Sequence, residues 1–191
     1  MIDDLNNFSI DIIMPNYNSA RYLSETIESV LSQTFKNWKL IIVDDHSDLE
    51  TNEILKKYES HKNINIIWLE ENKRAAYCRN LAMRKSKSEY IAFLDSDDIW
   101  NKDKLFKQLN FMVKNNYDFT YTNYSAYREE DKKKSKEVLP PQYFSFEKFI
   151  KNTSIGTSTM IIKRSIIGDI QFINTKICED YFFKCQILKK V

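Results

Sequence analysis

Four short apolar runs, each followed by residues at helical spacing, constrain the fold of this chain more than any other feature. Ile10-Asp11-Ile12-Ile13-Met14 reads as a strand stopped by Pro15; Leu23, Ile27, Val30 and Leu31 then recur at helical intervals behind a cap at Asn18 or Ser19. Lys39 to Val43 is the second strand and ends in Asp44-Asp45, with Ile54, Leu55 and Tyr58 marking the helix after it. Ile64 to Leu69 is the third, followed by a helix with Ala75, Cys78, Leu81 and Ala82 on one face. Tyr90 to Leu94 is the fourth, ahead of a helix carrying Leu105, Leu109, Met112 and Val113. This alternation predicts an α/β fold with a doubly wound, mainly parallel sheet and right-handed crossovers. At 191 residues the chain suits one domain, burying about 70% of the surface its unfolded form exposes.

The pattern changes after Asp118. Phe119 to Tyr127 alternates like one sheet strand, and residues 128–138 read as a charged, solvated loop in which Lys132-Lys133-Lys134-Ser135-Lys136 follows Glu129-Glu130-Asp131. Pro140-Pro141 interrupts the chain, Phe146 to Lys151 suits a short helix, and Ser158 to Ile162 another strand. Glu179-Asp180 opens a last amphipathic segment with Phe182, Phe183, Ile187 and Leu188, and the chain stops at Val191 inside that pattern, the layout of a trimmed chain.

The chemistry gathers at two strand ends. Asp95-Ser96-Asp97-Asp98 follows the Tyr90–Leu94 run directly. Clustered carboxylates repel one another, and a fold tolerates them most readily where a cation compensates. In open α/β sheets the carboxyl ends of strands are where ligands bind. Only Gly156 and Gly168 occur in the chain, which excludes a Walker-type loop and the G-x-G-x-x-G fingerprint. Net charge is +2 from 29 basic and 27 acidic residues, so overall charge does not indicate a nucleic-acid partner. Cys78, Cys178 and Cys185 are odd in number and lack metal-ligand spacing, fitting buried thiols in a reducing compartment. No secretory leader pattern and no run near the ~18 apolar residues of a spanning helix is visible, so a soluble, intracellular protein is expected.

Two acidic clusters on separate strands suit two chemistries. One is a receiver domain, with paired acids holding Mg²⁺ beside a phospho-acceptor aspartate and Lys163 as its lysine. Against it, a complete strand–helix unit precedes Asp44-Asp45, no proline follows Lys163, and Asp95 is followed by further acids. The other is a sugar-nucleotide site. Asp95 and Asp97 are two apart, so in an extended segment both side chains leave on the same side and can share a divalent cation. Mn²⁺ or Mg²⁺ suits such oxygen ligands together with diphosphate oxygens. A plain alternative is a solvated turn in which Asp98 caps the next helix.

Several stretches resemble one family. Met14-Pro15-Asn16-Tyr17-Asn18, Ile27 to Phe35, Val43-Asp44-Asp45-His46-Ser47, Cys78-Arg79-Asn80 and Phe93-Leu94-Asp95-Ser96-Asp97-Asp98 are similar to glycosyltransferase family 2, enzymes of the GT-A fold, over about Ile10 to Asp180. The resemblance implies a nucleotide-binding half over 1–117 and an acceptor-side half over 118–191. It implies a nucleotide pocket at Pro15, Asn16, Tyr17 and Ser96, with Asp45 accepting a hydrogen bond from the base, usually uracil. Asp95 would contact the ribose or the metal's water shell, Asp97 would be the direct metal ligand, and Arg79 would lie near the diphosphate or support the pocket. Asp180 of the Glu179-Asp180 pair would be the general base, since the acceptor hydroxyl must lose a proton as it attacks the anomeric carbon. On spacing alone, the same pair reads as acids favouring a helix N-terminus.

Some positions depart from the family pattern. Lys73-Arg74 stand where a glycine is common, and their cations either approach the diphosphate or face solvent. His46 replaces a frequent glycine and reads as a turn residue. Trp100 either stacks on a sugar or packs beneath the site. The hydroxyls of Gly156-Thr157-Ser158-Thr159 either bond sugar or satisfy strand ends. The Q-x-x-R-W motif of processive synthases is absent, favouring single-sugar addition. The expectation is an inverting, metal-dependent transferase using a UDP-linked sugar to extend a glycan or glycolipid such as lipopolysaccharide or capsule, at the cytoplasmic side of the membrane. Peripheral attachment through sequence beyond Val191 is part of that expectation. The alternative in another class is a non-catalytic nucleotide-sugar-binding module or an inactive fragment.

Overall fold

The computed structural model describes residue 5 and residues 7–128, 133–175 and 177–191. The four expected strand–helix units are present: β1 (Ile10–Asn16), α1 (Ala20–Leu31), β2 (Trp38–Asp44), α2 (Leu49–Lys56), β3 (Ile64–Trp68), α3 (Arg74–Lys85), β4 (Tyr90–Phe93) and α4 (Lys104–Asn115). Then come β5 (Phe119–Thr120), β6 (Tyr124–Arg128), β7 (Lys133–Val138), α5 (Phe146–Phe149), β8 (Ile161–Lys163), α6 (Arg164–Ile167) and α7 (Glu179–Leu188). The main sheet has the order β3-β2-β1-β4-β8-β5. β1 to β4 are parallel, and β8 runs antiparallel between β4 and β5.

β1, β2 and β4 are buried on both faces, which is why they read as near-continuous apolar runs. Ile10, Ile12, Met14, Leu40, Ile42 and Ala92 pack on one face against Leu23, Ile27, Leu55, Leu105 and Leu109 of α1, α2 and α4. Ile13, Ile41, Val43, Ile91 and Phe93 pack on the other against Ala76, Cys78, Phe149, Phe183 and Ile187 of α3, α5 and α7. The alternation of β1 between the two clusters is the period of two expected of a strand.

The second half departs from the sequence reading. Phe119–Tyr127 is two strands rather than one: β5 joins the main sheet, while β6 pairs with β7 in a separate two-stranded ribbon. The expected charged loop is therefore strand at 128 and 133–138; residues 129–132 lie outside the described residues. Thr157–Thr159 forms a 3₁₀ turn, so β8 starts at Ile161 rather than Ser158. On α3 the inward face carries Arg79 and Asn80 as well as Ala76, Cys78 and Ala82, whereas Leu81 and Ala75 are only half-buried. Cys78 is buried, Cys185 half-buried and Cys178 exposed, so the expectation of three buried thiols fails at Cys178; all three are free. Lys163 sits opposite Tyr90 at the amino end of β4, with Glu89 and Asp118 each 3.9 Å from its Nζ. It lies at the end of the sheet away from the acids, which removes the receiver arrangement. Among the described residues no helix is long and apolar enough to cross a membrane.

Candidate active site

A cavity of about 330 Å³ opens at the carboxyl ends of β1, β2 and β4. Its wall includes Pro15, Asn16, Tyr17, Asp45, Arg79, Asp95, Ser96 and Asp97. Every residue expected to hold donor or metal is thus gathered there except Arg74. Asn18, Ser19, Tyr22, Ala75 and Cys78 complete the lining.

The floor is a hydrogen-bonded set of strand-end side chains. Asn16 Nδ2 donates to Asp44 Oδ1 at 2.7 Å and its Oδ1 accepts from the Ser19 hydroxyl, which is why Ser19, at the N-cap of α1, makes no side-chain cap bond. Asp44 Oδ2 takes the Ser47 N–H at 3.0 Å. Asp45 turns to α3: its Oδ1 accepts from Lys73 N at 2.6 Å and its Oδ2 from Arg74 N at 2.7 Å. A buried carboxylate directly after β2 therefore caps the amino end of a helix whose own N-cap residue, Lys73, has no capping side chain. Arg74 is exposed and holds φ +73°, and His46, in the turn after Asp45, holds φ +63°. Both values lie in the left-handed region that glycine adopts without strain, in keeping with the resemblance that places a glycine at His46 and within Lys73-Arg74. The Cys78 thiol is pushed well up by burial, then by Asp45, so it stays protonated.

The acidic cluster divides by environment. The backbone N–H of Asp95 donates to Ser158 Oγ at 3.0 Å, while Asp95 Oδ1 accepts from Arg79 Nη2 at 2.7 Å. Asp97 is exposed and its carboxylate takes no hydrogen bond from any described residue. Asp98 does not cap the next helix, whose N-cap is Asp103; its Oδ2 accepts from the Ser158 hydroxyl instead. Its carboxyl is pushed up by partial burial and by the charges of Asp95 and Asp97, against that hydrogen bond. Trp100 is buried beneath the cluster, donates from Nε1 to Ser158 O at 2.8 Å, and carries Lys104 Nζ 3.8 Å from its ring centre. It packs the floor and offers no face to a sugar.

Asp180 stands in the first turn of α7, outside the cavity wall. The two places are joined by Arg79, which is 5% exposed and bridges Asp95 and Glu179, with Nη1 2.9 Å from Glu179 Oε1. Beneath that bridge Phe93 of β4 packs edge-on to Phe172 and Phe183, which stack on each other at 4.0 Å. Asn80 fixes Phe172 by accepting its N–H and donating to its carbonyl, both at 2.8 Å. Asp180 Oδ2 accepts from Thr157 Oγ1 at 3.0 Å and from Lys184 Nζ at 2.6 Å; Oδ1 accepts the Tyr181 N–H at 2.9 Å. Burial alone would raise its carboxyl, but the Lys184 charge and these hydrogen bonds bring it below the ordinary carboxylate value.

Sequence reasoning missed Lys184, which falls in a segment read as amphipathic, where a lysine's default place is the solvent face; its position four residues after Asp180 was the available signal. The hydroxyls of 157–159 bond acids and backbone, with Thr157 on Asp180, Ser158 on Asp98 and Thr159 Oγ1 on Gly156 O.

Comparison with known proteins bears on this geometry. The profile described as Glycosyl transferase family 2 matches residues 11–182. The Bacillus subtilis "putative teichuronic acid biosynthesis glycosyltransferase TuaG" is 40% identical over 182 residues, 95% of this chain and 72% of that protein. The Escherichia coli "UDP-Glc:alpha-D-GlcNAc-diphosphoundecaprenol beta-1,3-glucosyltransferase WfgD" is 36% identical over 185 residues, 97% of this chain and 72% of that protein. Among solved structures, S. aureus TarS 1-349 in complex with UDP-GlcNAc superposes with a TM-score of 0.80 at 24% identity, covering 94% of this chain and 53% of that one. That likeness shows a shared GT-A fold. The chain thus spans about half of the TarS fragment and about three quarters of the curated relatives.

Proposed function

The chain belongs to glycosyl transferase family 2, and from that premise we propose that it moves a sugar from a UDP-linked donor to a hydroxyl of a glycan or glycolipid in cell-surface polysaccharide synthesis. The observation that carries the proposal is one cavity uniting the β1, β2 and β4 ends, tied through Arg79 to the helix turn bearing Asp180. The named activity of the E. coli relative, glucosyl transfer from UDP-Glc to a diphosphoundecaprenol-linked GlcNAc, supports a UDP donor and a lipid-linked acceptor. A lipid-linked acceptor would place the work at the inner face of a membrane.

In this reading residues 1–117 hold the donor and 118–191 face the acceptor. Pro15 and Tyr17 flank the base and Asp45 receives its hydrogen bond, with the lone pairs its two backbone partners leave free. Asn16 and Ser96 shape the wall, and Arg79 holds Asp95 toward the ribose or the hydration shell. The exposed Arg74 reaches the diphosphate only from the rim. The donor set fits Mn²⁺ or Mg²⁺: Asp97 is an unengaged hard oxygen ligand beside Asp95, and no group of three His, Cys, Asp or Glu among the described residues forms a closed cage. Such a pair of carboxylates is what a cation shared with substrate phosphates requires. When bound, the cation neutralises charge developing on the departing nucleotide diphosphate. Asp180 takes the acceptor proton as that oxygen bonds the anomeric carbon and the bond to the diphosphate breaks on the opposite face, inverting the configuration.

A screen of nucleotide sugars by thermal shift with Mn²⁺, followed by transfer and hydrolysis assays, tests this. Stabilisation by a UDP-sugar and turnover that Asp180→Asn abolishes are expected. Binding without turnover would leave the non-catalytic module as the correct reading, and no stabilisation by any nucleotide sugar would remove both.

A further inference from the structure

Lys184 faces the core side of α7, flanked by the buried Phe183, Ile187 and Leu188, a position where an apolar residue is the default. Its side chain is 4% exposed, and Asp180 is its one ion-pair partner among the described residues. Asp180 is the opposite case, with a side chain 34% exposed. A surface helix pair at this spacing is ordinary, but burying an ammonium is expensive unless its geometry is used.

The arrangement of lone pairs shows what that use is. Oδ2 of Asp180 is occupied twice, by Lys184 Nζ and Thr157 Oγ1, whereas among the described residues Oδ1 takes only the Tyr181 N–H. The neighbouring Glu179 carboxylate is turned away to Arg79. We propose that Lys184 is a positioning residue for the general base: it clamps Oδ2 and leaves Oδ1 as the atom that receives the acceptor proton. This rests on the reading of Asp180 as base. The clamp also selects a protonation state. Lys184 supports the carboxylate form, and a protonated Asp180 would leave a buried ammonium without its counter-charge, so the proton taken from the acceptor O–H passes on to water. Without Lys184 its charge and hydrogen bond no longer oppose the upward push of burial, and the carboxyl rises.

The test is a set of pH–rate profiles for UDP-sugar turnover on the wild-type chain, Lys184→Met, Lys184→Gln and Lys184→Arg, with the ¹³C-carboxyl titration of Asp180 followed in parallel. Lys184→Met should lower kcat by about tenfold or more, leave the donor KM within about twofold, and move the acid limb up by about one pH unit. The carboxyl titration should move with it. Lys184→Arg should restore most of kcat, and Lys184→Gln, which keeps a donor without the charge, should show the raised limb even if Lys184→Met folds poorly. An acid limb and a carboxyl titration unmoved in both neutral variants would overturn the proposal. Asp180→Asn separates the two readings. Full turnover in that variant would remove Asp180 as base and this inference with it. Loss of turnover there, beside unmoved Lys184 profiles, would remove the clamp alone.

Discussion

The acids at the two ends of the sheet are equally negative and differently employed. Asp11, near the amino end of β1, is 2% exposed and meets four donors: the Ser86 hydroxyl, the Lys87 and Ser88 N–H groups and the Ser88 hydroxyl, all at 2.7–2.9 Å. It ties the α3–β4 connection to the first strand and has nothing left to offer a ligand. At the carboxyl ends, Asp44 and Asp45 are also buried and bonded, whereas Asp97 is open and lies beside Asp95 and Asp98. A saturated carboxylate stabilises the fold; an exposed one among other acids keeps its lone pairs available, and in the proposed reading a divalent cation takes them. The contrast distinguishes acids the fold has engaged from an acid it leaves open, without reference to their spacing.

Substitutions can break or sharpen that contrast. Asp180→Asn should have the largest effect, a fall in turnover of about 10²–10⁴-fold with UDP affinity retained; normal turnover would return Asp180 to the class of structural acids. Asp11→Ala should cost about 3 kcal/mol by urea denaturation, because several buried donors lose their acceptor together, with UDP binding per folded molecule unchanged. A stable Asp11→Ala variant with weakened UDP binding would collapse the distinction. Asp45 spans the two classes, so Asp45→Ala should lose about 1–2 kcal/mol through the α3 cap and weaken UDP binding as well. Arg74→Gly relieves a positive φ at the expense of chain entropy and should raise stability by about 1 kcal/mol or less, read from the thermal midpoint.

The pH dependence follows from the same groups. The Asp180 carboxyl lies below its ordinary value in the folded chain. Its contribution to stability is therefore present above the unfolded pKa and lost as pH falls through the lower, folded one. Acid titration of the thermal midpoint should show this loss in the wild type and a diminished one in Lys184→Met.

Much of this was legible in the sequence, for identifiable reasons. Strands buried on both faces announce themselves as apolar runs, and acids directly after such runs can be placed at the ligand-binding edge before any coordinates exist. The 119–138 region was misread because alternation reports a half-exposed strand without saying which sheet it joins. The Trp100 and Asp98 alternatives were decided by Ser158, a contact across 60 positions from Asp98 that no local pattern encodes. Arg79 was named on the resemblance alone, and Lys184 not at all, so the ion pairs of both were hidden for another reason. Both are cations on helix faces that a hydrophobic period assigns to the core, and only the fold reveals the carboxylates awaiting them.

The most direct test of the account is calorimetric titration of UDP into the wild-type chain and Asp97→Ala, each with and without Mn²⁺. The account predicts Mn²⁺-dependent binding in the wild type and a loss of at least about tenfold in affinity for Asp97→Ala, with the fold intact. Undiminished Mn²⁺-dependent binding in Asp97→Ala would contradict it.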